Sequence, residues 1–142
     1  MGTLREARER LDELAPTLNQ PTFARLEAEL DGAEQAARTH AEQFVNQRLA
    51  QVDDRRHELL VEACEVRDAY GALRDESALG RLSAAEYASR LRDLDARRDR
   101  VEARLADVER EVDRLGGIED DPVAWTDEQY RKYPTTAPTF SF

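Results

Sequence analysis

The sequence predicts an all-α protein. The expected form is an antiparallel coiled-coil helical hairpin with a long central helix, a short N-terminal helix packed on its first half, and an aromatic, proline-bearing C-terminal tail. Three observations carry this. Apolar residues recur at alternating gaps of three and four over about four heptads in each of two segments, the pattern by which helices bury a narrow seam against one another. No proline falls between Pro21 and Pro122, so nothing there interrupts a long helix. Thr3–Glu6 and Ser83–Glu86 each have the spacing of a capping box, in which a hydroxyl and a carboxylate three residues apart satisfy free amides at a helix start.

The first helix, expected over about 3–15, carries its stripe on Leu4, Ala7, Leu11, Leu14 and Leu18. Pro16 and Pro21 bracket its end. The second helix is expected over about 22–74. Its stripe begins at Phe23, Leu26, Leu30, Ala33 and Ala37, slips in phase around His40–Val45 as a stutter does, and resumes through Val45, Leu49, Val52, Arg56, Leu59, Ala63, Val66, Tyr70 and Leu73. A turn is expected over about 75–82, where Gly80 can take a left-handed conformation. The third helix, about 84–115, shows Tyr87, Leu91, Leu94, Arg98, Val101, Leu105, Val108, Val112 and Leu115, and Gly116-Gly117 is expected to close it. Folding back at this turn pairs Tyr70 with Tyr87, Val66 with Leu91 and Val52 with Leu105 in one antiparallel register. The first helix pairs in the same way with the start of the second, Leu11 opposite Leu30 and Leu4 opposite Ala37. Residues 1–117 form the helical body in this reading, and 118–142 the tail.

The balance of charge bounds function. Of 142 residues, 37 % are charged and the net charge is -10. Nucleic acid and anionic lipid both select cationic surfaces, so neither is an expected partner. Lys132 is the single lysine beside twenty arginines, a composition that fits either a GC-rich genome or adaptation to high salt. The opening residues carry no apolar run resembling a signal peptide, and the expected location is the cytoplasm.

Motifs for chemistry are sparse. Asp54 and His57 lie three apart on one helix face, as in a di-iron bundle site. The third helix supplies no histidine to complete one, so surface histidines are the expectation. Cys64 is the only cysteine and has no sequence partner for a nucleophilic dyad. No phosphate-binding glycine loop or nucleophile elbow occurs. No catalytic residue, metal, cofactor or small-molecule substrate is expected, and no family resemblance is carried by these residues.

Three groups of residues are candidates for interaction. Arg56 and Arg98 interrupt their stripes with Asp53 and Glu102 in helical reach, and are expected to form a polar layer that fixes register; an arginine belt gripping an anion is the sharper alternative. Leu60 and Val61 widen the apolar face beside Leu59, as Phe44 does beside Val45. A two-helix hairpin leaves such residues wet, so self-association is expected, most simply as a dimer. The tail holds Trp125, Tyr130, Tyr133, Phe140 and Phe142, five of the nine aromatics in the chain. After Asp121, Pro122 suits the first turn of a short helix at about 122–133, with an extended end at 134–142. Either these rings fold back into the groove between helices, or they dock a partner. The functional expectation is a non-enzymatic oligomeric scaffold or adaptor that docks a protein through its aromatic tail. The alternative is a small chaperone or regulator that holds a client along Phe44, Leu59, Leu60 and Val61.

Overall fold

The computed structural model describes residues 3–140, and Phe142 of the tail lies outside them. The described residues are all-helical, with no strand among them. Four α-helices follow in order: α1 (Leu4–Leu14), α2 (Gln20–Ala78), α3 (Ala84–Asp120) and α4 (Pro122–Lys132), with single 3-10 turns at Ala15–Thr17 and Pro134–Thr136. The chain divides into two compact units. One contains residues 1–48 and 114–142, the other Leu49–Asp113, so α2 and α3 each contribute to both.

Helix ends follow local chemistry. The capping box at Thr3 is formed, with the Thr3 hydroxyl accepting from Glu6 N–H and the Glu6 carboxylate accepting from Thr3 N–H. α2 begins at Gln20, earlier than expected. Asn19 Oδ1 accepts from Thr22 N–H at 2.9 Å and Asn19 C=O accepts from Phe23 N–H. Pro21 therefore sits inside the first turn, where its missing N–H costs nothing, and starts the helix it was expected to precede. At the other end α2 runs through Asp75–Ala78, four residues expected in the turn. Arg81 N–H donates to Glu76 C=O and Gly80 N–H to Ser77 C=O, with Gly80 at φ +70°. This is a Schellman closure, and it needs a left-handed residue at Gly80. Ser83 then caps α3 by accepting from Glu86 N–H at 3.1 Å.

Gly116-Gly117 does not close α3, which continues to Asp120. Leu115 and Ile118 on either side are buried at 1 % and 7 % exposure. Their burial offsets the roughly 1 kcal/mol that each glycine costs a helix. The break comes at Asp121, whose helical conformation is disfavoured by Pro122 and whose φ of -141° and ψ of 77° leave the helix.

In the first unit, Leu4, Ala7 and Leu11 of α1 form a core with Leu26, Leu30 and Ala37 of α2. Arg8 bridges Asp31 and Glu34, which agrees with the register expected for these helices. The second unit is thinner. Along α2 its buried side chains are Val52, Leu59, Val66 and Leu73, one per heptad, met from α3 by Val101 and Val108. Contacts across it join Arg56 to Glu109, Tyr70 to Asp95 and Glu76 to Arg90. Tyr70 therefore lies near Asp95 and not Tyr87, about one heptad from the expected register. The cause is the longer α2, which moves the turn to Leu79–Ser83 and carries the pairing with it.

Two glycine substitutions should act in opposite directions. A Cβ at Gly32 or Gly80 meets no atom within 4 Å, so only backbone preference decides. Gly80→Ala should lower stability by about 1 kcal/mol through its left-handed φ. Gly32→Ala, inside α2, should raise it by about 0.5–1 kcal/mol. Urea midpoints of the two variants test both signs.

Candidate functional site

The tail aromatics are set by α4. Asp121 caps this helix, its side chain accepting from Ala124 N–H at 3.0 Å, and Pro122 occupies the first turn. Thr126 lies within α4 and donates its hydroxyl hydrogen to Pro122 C=O.

The residue that positions α4 is Asp127. The residue is 4 % exposed, and its carboxylate accepts from Leu4 N–H at 2.7 Å and from Arg5 N–H at 3.2 Å. A helix start has four amides without intrahelical partners. In α1 the Thr3 and Glu6 amides are satisfied by the capping box, and the Leu4 and Arg5 amides by Asp127. The carboxylate also meets the positive end of the helix dipole. Arg5 adds an exposed ion pair to Asp121 at 3.6 Å, which contributes little.

Around this cap the aromatic side chains take different positions. Val123, Tyr130 and Phe140 pack against the core of Leu4, Leu11 and Leu30. Trp125 stacks on His40, with ring centroids 5.7 Å apart, and tilts onto Phe44 at 4.8 Å. Tyr133 is 61 % exposed. A cleft of about 590 Å³ is lined by His40, Phe44, Trp125, Tyr130 and Tyr133 together with Thr126 and Gln129. A second cleft, of about 460 Å³, shares Phe44, Trp125 and Gln129, so the Trp125–Phe44 pair borders both. Burial and the nearby Asp127 carboxylate hold the Tyr130 phenol above its usual pKa.

The other candidates separate. Phe44 is half-buried beside Trp125, and Leu59 belongs to the core of the second unit, whereas Leu60 and Val61 are 49 % and 45 % exposed. Arg56 reaches Glu109 at 3.3 Å, and its Nε is buried without a hydrogen-bond partner among the described residues. Arg98 bridges Asp95, Asp99 and, at 3.9 Å, Glu102. The expected single layer of Arg56 and Arg98 is not brought together. In the observed register Arg98 falls level with residues about eleven positions beyond Arg56, roughly 16 Å along α2. Asp53 is exposed on α2. Arg98 instead lines a cleft with Tyr70, Arg67 and Arg74, where the hydrogen bond from Tyr70 to Asp95 raises the phenol pKa. His57 and Cys64 are exposed. Among the described residues no group of three or more His, Cys, Asp or Glu side chains could hold a metal, and no helix is long and apolar enough to cross a membrane.

No family model, curated protein or solved structure matches the chain.

Two measurements follow from Asp127 and Tyr130. Asp127→Ala leaves two helix-start amides without their acceptor and should cost about 1–3 kcal/mol in chemical denaturation. The Tyr130 phenol, with its folded pKa raised, contributes stability that is complete below the ordinary phenol pKa and lost as pH rises through the folded value. Unfolding of the wild type should therefore become easier above about pH 10, and Tyr130→Phe should remove part of that alkaline loss.

Proposed function

We propose that the chain is a non-enzymatic, oligomeric coiled-coil scaffold or adaptor of the cytoplasm, whose α4 region docks a protein partner. The observation that supports this best is Tyr133. It is a large ring left 61 % exposed on the rim of a cleft that His40, Phe44, Trp125 and Tyr130 also line. Rings of this kind act as binding anchors because they offer a large apolar area at little conformational cost. In this reading His40, Phe44, Trp125 and Tyr130 build the wall of the site, Phe140 packs on the core behind it, and Tyr133 meets the partner. α2 and α3 of the second unit act as a coiled-coil hairpin that sets spacing, a role consistent with one buried apolar side chain per heptad and charged flanks.

The alternative reading, a chaperone or regulator holding a client along α2, draws on the exposed Leu60 and Val61. The two readings differ in what a single substitution removes. Tyr133→Ala should abolish capture of a specific protein from the source lysate at native ionic strength, with helicity unchanged. If wild type and Tyr133→Ala retain the same proteins, docking at α4 is wrong. If Leu60→Glu, and not Tyr133→Ala, abolishes protection of an aggregating client, the holding role replaces it.

A further inference from the structure

Leu60 stands nearly half exposed in the interior of α2, and the face around it has a pattern of its own. One turn to three turns away on the same side lie Leu49, Asp53, Arg56, Ala63, Cys64, Arg67 and Gly71, by the 3.6-residue period. We infer that this face is the contact surface for a second copy of the chain, packed antiparallel across the second unit with Leu60 at the two-fold axis. The inference rests on the oligomeric part of the function proposed above and assigns it a surface and a direction.

The stripe is complementary to itself in one direction only. Reversed about Leu60, it sets Leu60 against Leu60 of the partner subunit. Asp53, seven residues before, meets Arg67 of the partner subunit, seven residues after, and the exchange is reciprocal. Arg56 falls opposite Cys64 of the partner subunit, with no like charges facing. Leu49 falls opposite Gly71 of the partner subunit, where the absence of a side chain leaves open space. A parallel pairing would align Asp53 with Asp53 and Arg67 with Arg67, which repel. Among the described residues Arg67 has a single ion pair, at 3.8 Å to its neighbour Asp68, and both side chains are more than three-quarters exposed, so Arg67 can re-pair across a dimer. On the Arg67 side of Leu60 lies a cleft of about 320 Å³ floored by Ala63, Val66 and Val101 and rimmed by Arg67, Arg74 and Arg98 against the one carboxylate of Glu102. It presents positive charge and apolar surface where the antiparallel arrangement delivers Asp53 of the partner subunit. Such an isologous contact closes at two copies.

Sedimentation equilibrium on the full chain at the ionic strength of its source tests this. The wild type should show twice the 16.2 kDa of one chain. Leu60→Glu should weaken the dimer about tenfold per leucine lost, so about a hundred-fold in all, with unchanged far-UV circular dichroism because the side chain is exposed in one chain. Asp53→Arg alone should also dissociate the dimer, and adding Arg67→Asp in the same chain should restore it, a rescue that misfolding cannot imitate. A monomeric wild type would overturn both this inference and the oligomeric reading. A wild-type dimer that survives Leu60→Glu, that is not rescued by the charge exchange, or that cross-links Cys64 to Cys64 of the partner subunit on oxidation would overturn the inference alone.

Discussion

The first unit depends on one carboxylate. Asp127 reaches from α4 to the start of α1 and takes two backbone amides that α1 cannot satisfy by itself. The partners are separated by more than 120 residues of sequence, so the contact joins the chain's beginning to its end. Burial makes the arrangement demanding. A carboxylate removed from water is tolerated only with its acceptor capacity used, and the two amides that use it exist only when α1 is helical and in place. The aromatic contacts of Trp125, Tyr130 and Phe140 are consequences of that docking, because each is carried on or beyond the helix that Asp127 anchors.

The second unit is held in a different way. With one buried apolar side chain per heptad, its apolar stabilisation is modest for its length. Arginine bridges to Glu62, Glu65, Glu76 and Glu109 flank the seam. These pairs are partly exposed and do more for register and direction than for stability. The seam has apolar residues enough to pair two helices and leaves Leu60 and Val61 outside the pair, 49 % and 45 % exposed.

Much of the architecture was legible in the sequence because it rests on local rules. The Thr3 capping box, the Ser83 cap, the left-handed glycine, the start of α4 at Pro122 and the α1–α2 register each follow from residues within a few positions or from a regular stripe. The errors have physical causes. Pro21 starts α2 instead of preceding it, because its missing N–H is free at the first turn, and α3 runs through Gly116-Gly117, because the burial of Leu115 and Ile118 outweighs glycine's cost. The heptad stripe is nearly periodic under a shift of seven, so hydrophobic spacing alone admits two registers for α2 and α3. The turn position selects one, and Asp75–Ala78 carry too little local signal to place it. Asp127 leaves no sequence signal of its role. One acid among thirty-one has nothing in its sequence neighbourhood to show that its partners are the amides of residues 4 and 5.

The most direct measurement is amide hydrogen exchange at Leu4 and Arg5. The first amides of a helix ordinarily exchange freely because they lack intrahelical acceptors. If Asp127 holds them, both should be protected to the level of the α1 core. Exchange at Leu4 and Arg5 as fast as at a frayed helix end would contradict the account, since α4 would then not be anchored where its aromatic residues require it to be.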